Sequence, residues 1–500
     1  MNASIIRYRR EDVALRQRHW QNEALQKGSG ATYDVHNPAN GQVIANAAAA
    51  TAQDCKESIE AAEKAFGAWQ FATPGQKSVL FKKAAELVVS DSYQDKIMKA
   101  ITEETGCTAS LGKLINVDLC HNVLHEACEM AYQVKGEILP SDSGAQSFVQ
   151  RLPMGVVFVI SPWNAPLGLS LMTVLPPIAA GNTVVLKTSE YSPAGQLIAA
   201  ELLKEAGLPD GVLNIIHTAR EDSGPRVAEI IAHPAVRKIA FTGSDRVGSI
   251  IAAEAAKYLK PCVFELGGKA PAVVLNGANV EAASRAIVSG AMNHSGQMCI
   301  STERVIVQRD VAQQLIDNVK AVASKIKAGD QSKTDAKLSC VFNPSSAANI
   351  ISMIQEAVAD GAELLVGDLK AQGAFVQPHI VLGAKPGQRL WDRESFGPVF
   401  TIAVVDSVDE AVELANASTY SLTSALWTND MQQAFAVSRR IHAGKVIVNG
   451  PTYGSESRFH QQGMGGSSGY GTFDVHNFTY TQLVSFQSPE SQKAYIVTDF

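Results

Sequence analysis

Two periods alternate along most of this chain, and together they predict its elements. Over roughly the first 150 residues apolar positions recur at helical spacing, most clearly over 55–69 and 76–90, with Asp54 and Thr73-Pro74 placed to start those helices. A turn at Ser141-Asp142-Ser143-Gly144 then separates two short extended runs, 132–139 and 146–152, that are able to pair. From Gly155 onward, short apolar strands at 155–160, 183–187, 212–216 and 237–241 alternate with helices at 194–206, 225–232 and 245–258. A second alternation follows Pro261, with strands at 272–275, 304–308 and 399–405 and helices at 281–292, 312–327, 345–359 and 408–415, and it runs on to 445–449. After Gly471 comes an irregular tail with one strand near 480–486. Strands separated by single helices pair in parallel. The fold class is therefore α/β, with two doubly wound domains and a small strand-built accessory.

Composition changes this picture little, but it excludes several functions. A chain of 500 residues is long enough for roughly three units. At 46% hydrophobic and 18% charged it is globular and not disordered. A formal charge of −6 gives no global attraction for nucleic acid. Residues 152–186 carry no charge, long enough to span a bilayer, yet Pro162, Pro166, Pro176 and Pro177 interrupt them. Buried strand, loop, short helix and buried strand is the reading that fits, and no membrane partner is expected. Seven cysteines with no C-x-x-C read as free thiols in a reducing compartment. The N-terminal arginines are interrupted by Glu11 and Asp12 and lack an apolar run, so a cytoplasmic location is expected.

Neither usual phosphate-cradling fingerprint occurs, but several strand ends carry reactive or polar residues. In Phe241-Thr242-Gly243-Ser244-Asp245-Arg246-Val247-Gly248, Gly243 allows a tight turn and Ser244 a helix cap, leaving free N–H groups suited to a pyrophosphate. Many α/β turns contain Gly-Ser with no ligand. In Lys187-Thr188-Ser189-Glu190 a carboxylate could accept the hydroxyls of an adenosine ribose, although a solvated ion pair is the commoner fate of such residues. Cys299 sits in a loop, in Gly296-Gln297-Met298-Cys299-Ile300-Ser301, where a thiol is reachable. Taken singly, a cysteine is more often a small buried hydrophobe. Glu265 and Asn164 stand alone in apolar surroundings, which polar groups seldom occupy without a task or a partner. Nucleophile, carboxylate base, amide donor and a dinucleotide-like turn define one reaction. A thiolate attacks an aldehyde, an amide holds the oxyanion, hydride leaves to a nicotinamide, and water releases the thioester.

Six motifs in order carry a resemblance. They are Phe158-Val159-Ile160-Ser161-Pro162-Trp163-Asn164, Lys187-Thr188-Ser189-Glu190, Phe241-Thr242-Gly243-Ser244, Glu265-Leu266-Gly267-Gly268-Lys269, Gly296-Gln297-Met298-Cys299 and Glu394-Ser395-Phe396-Gly397-Pro398-Val399. So spaced, over about 35–486, the chain resembles the NAD(P)-dependent aldehyde dehydrogenase superfamily. The resemblance implies Cys299 as nucleophile, Glu265 as general base and Asn164 as oxyanion donor. It implies Ile160, Ser161, Pro162, Trp163, Lys187, Ser189, Glu190, Gly243, Ser244, Val247, Gly248, Leu266, Glu394 and Phe396 as the cofactor site. NAD is favoured over NADP, because Glu190 would repel a 2′-phosphate. It also implies residues 1–131 and 153–264 as an NAD-binding domain, 265–450 as a catalytic domain, and 132–152 with 472–500 as an oligomerisation arm and C-terminal tail of a homodimer or homotetramer.

Gly296 to Val305 and Ser223 to Thr242 further resemble the branch acting on salicylaldehyde, vanillin and other aromatic aldehydes. Three positions depart from that pattern. Met172 stands where an Arg is common, Gln461-Gln462-Gly463-Met464-Gly465-Gly466 where a Phe-Gly-Gly is usual, and Thr188 where a Pro is familiar. Ala165, Gly168, Met172, Met298, Ile300 and Tyr453 are the expected pocket, a roomy slot for a bulky apolar aldehyde. Two alternatives on the same fold are a CoA-acylating enzyme, against which the retained Glu265 argues, and a non-catalytic scaffold, which would have no need of Cys299. Cys120, His121, His125 and Cys128 offer soft ligands, but over too long a helical reach for one ion, so no metal is expected. His442 and His460 have no partner identifiable from sequence.

Overall fold

The computed structural model describes residues 31–142, 144–331, 334–454 and 462–487, together with the backbone of the strands Arg16–Gln17, His19–Gln21 and Ala24–Gln26. His460 and Gln461 lie outside the described residues, as do most of the first 30 positions and the tail beyond Gln487.

The uncharged stretch becomes the centre of the first sheet. β1 (Val156–Ile160) is buried at every position. It leads through a loop into α1 (Pro166–Ala179) and then into β2 (Thr183–Lys187), again fully buried. α1 is longer than the short helix expected: Pro166 occupies its first turn, where a missing N–H costs nothing to the helix, and Pro176 and Pro177 fall inside its last turn, where each removes one helical hydrogen bond but only the end of the helix is affected. Its C-terminal carbonyls are met from outside. Trp69 Nε1 donates to Ile178 O (3.1 Å), Lys77 Nζ to Ala179 O (3.1 Å) and Asn182 Nδ2 to Pro177 O (3.1 Å).

α2 (Pro193–Ala206), β3 (Leu213–Ile216), α3 (Ser223–Ala232), β4 (Val236–Thr242), α4 (Asp245–Ala256) and β5 (Cys262–Glu265) complete this half. The sheet order is β5–β4–β1–β2–β3, all parallel, with His19–Gln21 adding an antiparallel edge beyond β3. The chain leaves β1 in one direction and returns to β4 on its other side. The carboxyl ends of β1 and β4 therefore bound the switch point where ligands of such sheets bind. Helices cover both faces: α1, α2 and helices Pro74–Val88 and Leu119–Met130 on one, Ala52–Trp69, α3 and α4 on the other. Within the largely helical N-terminal region, Thr32–His36 and Val43–Ala48 form an antiparallel hairpin that the helical spacing does not reveal.

The second sheet holds β6 (Ala270–Val274), β7 (Thr302–Gln308), β8 (Glu363–Val366), β9 (His379–Leu382), β10 (Val399–Val405), β11 (Ser424–Trp427) and β12 (Val446–Val448). Their order is β8–β9–β10–β7–β6–β11–β12, parallel except for β8. Around it lie α5 (Val280–Met292), α6 (Arg309–Ala323), α7 (Pro344–Ala359) and α8 (Val408–Asn416). β8, β9 and β11 are absent from the sequence reading, since four-residue strands carry too few positions for a period to show.

The arm is a three-stranded antiparallel sheet. Gln146–Pro153 lies between Glu137–Leu139 and Thr479–Phe486, and all eight of its residues register with the C-terminal strand. The first of these strands begins later than the 132 expected, because Ala131–Gln133 is a 3-10 turn. Among the described residues no helix is long and apolar enough to cross a membrane.

Candidate active site

α5 runs directly into the loop that carries Cys299. His294, Ser295 and Gly296 take φ values of 52°, 55° and 76°, three left-handed residues in succession, of which only the glycine does so without strain. External bonds hold the turn. Ser295 Oγ donates to Ser339 O (2.8 Å), and a Cβ on Gly296 would overlap the Gly397 carbonyl. Gln297, fully buried, staples the rest. Its Nε2 donates to His294 O (3.0 Å) and Cys340 O (3.3 Å), and its Oε1 accepts from Phe342 N (2.7 Å). On the far side of Cys299, Thr452 Oγ1 donates to Ile300 O (2.7 Å). Gly268 completes the frame, because any side chain there would strike the Cys299 carbonyl.

The three residues assigned catalytic roles from sequence meet around this loop. Cys299 is partly exposed, and its Sγ donates to Glu265 Oε1 at 3.7 Å. Glu265 is buried at the end of β5, in register with Thr242 of β4. Asn164, buried in the loop after β1, donates one Nδ2 hydrogen to Gln297 O (3.0 Å). The Cys299 thiol is held well above its ordinary value, by burial first and then by the charges of Glu265 and Glu394. Glu394 accepts from the Gly268 N–H (2.9 Å) and is itself pushed up to about 8 by burial and by Glu303. Glu303 forms a buried ion pair with Lys269 and accepts from Ser395 N at 3.0 Å, so it sets the start of the Glu394 segment. The sequence reading missed this pair. Its signal was three consecutive polar residues, Thr302-Glu303-Arg304, opening a strand that is otherwise apolar.

The candidate cofactor residues gather at the switch point. Lys187 ends β2, buried, with Nζ donating to Thr188 O (2.9 Å); burial lowers its pKa. Gln196 Oε1 accepts from Ser189 N (2.6 Å) and its Nε2 donates to Ser161 O (3.2 Å), which ties the loops after β1 and β2 together. Glu190 stands half-buried beside them. Ser244 caps α4, accepting from Val247 N (3.4 Å), and a Cβ on Gly248 would lie 2.7 Å from Leu266. Gly243 makes its turn without left-handed backbone, and a Cβ there would sit 2.5 Å from the Phe241 ring. Trp163 stacks on Phe342 (4.7 Å) and meets Phe396 edge-on (6.0 Å). Ile160 closes β1, and Pro162 is half-buried after it. The side-chain hydroxyls of Ser161 and Thr242, at the ends of β1 and β4, are buried with no partner among the described residues. Free helix N–H groups, unpaired hydroxyls, an amine and two carboxylates are a donor and acceptor set that fits a dinucleotide.

The expected pocket is less uniform. Ala165 is buried, while Met172, Met298, Ile300 and Tyr453 are half-buried. Gly168 faces elsewhere: a Cβ there would strike the Ile115 carbonyl, and its N–H donates to Asn116 Oδ1 (3.3 Å). Its missing side chain thus serves helix packing and not substrate room. Tyr453 brings polarity to the wall. Its hydroxyl lies 3.0 Å from Ser289 Oγ, which also accepts from Asn293 Nδ2 (3.2 Å). Away from the site, Cys120 is buried in the core, Cys128 Sγ donates to Leu124 O (3.3 Å), and the His121 and His125 Nε2 atoms are 3.2 Å apart. Among the described residues no three potential metal ligands cluster.

The profile of the Aldehyde dehydrogenase family matches residues 25–484. A vanillin dehydrogenase of Pseudomonas fluorescens is 39% identical over 468 residues, covering 92% of this chain and 95% of its own. A salicylaldehyde dehydrogenase of Pseudomonas putida is 36% identical, over 92% and 96%. The crystal structure of a salicylaldehyde dehydrogenase from Pseudomonas putida G7, complexed with salicylaldehyde, superposes with a TM-score of 0.91 at 33% identity, covering 96% of this chain and 99% of that one.

Proposed function

The chain belongs to the aldehyde dehydrogenase family, and we propose that it oxidises an aromatic or otherwise bulky apolar aldehyde to the carboxylic acid, with NAD, through a thiohemiacetal and a thioester on Cys299. The contact that carries this reading is Cys299 Sγ to Glu265 Oε1 at 3.7 Å. Glu265 takes the thiol proton, and the thiolate adds to the carbonyl carbon. The second Nδ2 hydrogen of Asn164 and the Cys299 backbone N–H receive the oxyanion. A nicotinamide cofactor, when bound, supplies the hydride acceptor. Glu265, once it has passed the thiol proton to solvent, then deprotonates a water whose oxygen adds to the thioester carbonyl; the C–S bond breaks, the acid leaves, and the proton on Glu265 returns to the Cys299 sulfur. A CoA-acylating enzyme would not need that second task.

Lys187, Ser189 and Glu190 hold the adenosine ribose. The α4 start from Gly243 through Gly248, with Leu266, holds the pyrophosphate, and Ile160, Ser161, Pro162 and Trp163 line the path between. Glu394 and Phe396 bind the nicotinamide ribose and ring. Residues 1–131 and 153–264 form the cofactor domain, and 265–450 the catalytic domain. The arm of 132–152 with the tail from 472 joins copies into a homodimer or homotetramer.

The aromatic class is supported by the relatives named vanillin and salicylaldehyde dehydrogenase. The test is NADH formation on a panel from short aliphatic aldehydes to hydroxybenzaldehydes, where turnover concentrated on the aromatics is expected. Activity confined to aliphatics would retain the mechanism and discard the substrate class. A higher kcat/KM with NADP would overturn the role given to Glu190.

A further inference from the structure

Lys269 and Glu303 form a buried ion pair that the proposed reaction does not use. Their side chains are 1% and 3% exposed, just before β6 and at the start of β7. Such a pair gives little net stability, because desolvation offsets the attraction. Its place in the fold is more informative. β6 and β7 pair Ala270 with Thr302 and Pro271 with Arg304, so Glu303 is an extra residue, a bulge in the ladder. Its carboxylate accepts from Ser395 N through both oxygens, at 3.1 and 3.0 Å. Arg304, also buried, is occupied elsewhere: its guanidinium donates to Lys269 O (2.9 Å), and to Leu414 O and Ala415 O (both 3.0 Å) at the end of α8.

The segment that Ser395 belongs to is held residue by residue. Glu394 accepts from Gly268 N (2.9 Å), and Ser395 N donates to Glu303. Phe396 meets Trp163 edge-on with a left-handed φ of 50°, and the Gly397 carbonyl packs against Gly296 of the nucleophile loop. Lys269 directly follows the glycine that Glu394 accepts from, and its ammonium sits on the carboxylate that holds Ser395. Glu394 is therefore the next carboxylate in line for that ammonium should Glu303 lose its charge. We infer that Glu303 is a positioning residue for the nicotinamide end of the cofactor site: it fixes the backbone of Glu394–Phe396 through Ser395 N, and by engaging Lys269 it leaves the Glu394 carboxylate for the ligand. The inference rests on the reading of Glu394 and Phe396 as contacts to the nicotinamide ribose and ring. A neutral side chain of the same shape would serve the first task and not the second.

The test compares NADH and ADP binding, by fluorescence and by calorimetry, in the full chain carrying Glu303→Ala, Glu303→Gln, or Glu303→Gln with Lys269→Met. ADP reaches only the adenosine and pyrophosphate contacts. Each single variant is expected to raise the Kd for NADH by about 10-fold, as for one hydrogen bond to the ligand lost, while the Kd for ADP stays within about two-fold. The double variant should bind NADH within about three-fold of the parent, since Gln Oε1 still accepts from Ser395 N and no unpaired ammonium remains. The inference is overturned if either single variant binds NADH as the parent does, or if the double variant is as weak as Glu303→Gln alone. It is overturned equally if ADP weakens in step with NADH, which would mean a general loosening of the fold. Should Glu303→Ala not fold, the two Gln variants carry the same comparison. A parent that binds NADH no better than ADP would sink the role given to Glu394 and Phe396 first, and this inference with it.

Discussion

Cys299 is surrounded by charges of the wrong sign for a resting thiolate. Burial and the carboxylates of Glu265 and Glu394 all raise its pKa above the ordinary 9.0. In the proposed mechanism the Cys299 thiol is therefore protonated at rest and relies on Glu265 to ionise. A double consequence follows for Glu265→Gln. Removing one negative charge lowers the thiol pKa, so Cys299 alkylation in the enzyme without cofactor should begin to rise at a lower pH than in the parent, read by mass spectrometry of its peptide. Steady-state turnover should fall by about 100-fold or more, because thioester hydrolysis loses its base. Turnover near the parent value would show that another group activates the water. At this scale the candidate site was legible: Cys299, Glu265 and Asn164, which the structure brings together, stood out because each is reactive or polar in a context that disfavours it. Gln297 and Glu303 were not, because their partners, Cys340 and Lys269, lie in other elements.

Helix starts show the same division between local and distant signals. Thr51 and Thr73 cap their helices with reciprocal boxes that the local sequence spells out. α2 has no such cap, since the Ser192 side chain makes no capping bond. Its first N–H groups, of Ala194 and Gly195, donate instead to Glu104, 2.9 and 2.8 Å away, from the helix Asp91–Thr105. Glu104→Ala should cost about 2 kcal/mol of stability, read as a lower Tm. Burial also pushes Glu104 up to about 8, from 4.5. The folded chain then binds this proton more tightly than the unfolded one. The resulting stabilisation is full below pH 4.5 and is lost as pH rises toward 8. The stability of the parent relative to Glu104→Gln should decline across that window. A difference that is flat or rising with pH would mean that the two N–H bonds, and not burial, govern the group.

At the scale of the whole molecule, the arm carries exposed apolar side chains on one small sheet. Ile138, Leu483 and Phe486 are 79%, 61% and 62% exposed on a three-stranded sheet, uncovered by the other described residues. Under the proposed assembly, Leu483→Lys should shift the protein toward monomer in size-exclusion chromatography with light scattering. An unchanged mass would remove this face from the interface. By itself the sequence determined the parallel α/β architecture, because buried strands and amphipathic helices carry different periods, and it marked the Cys299 loop as a candidate site, because polar groups in apolar runs are costly unless used. Only the tertiary structure decided which residues hold those groups in place. The antiparallel β8, the strand partner of the arm more than 300 residues away, the remote cap of α2 and the bond from Asn164 to the Gln297 carbonyl are contacts between distant segments. Local periodicity reports how a segment meets solvent and core, and it holds no information about which distant segment will meet it there.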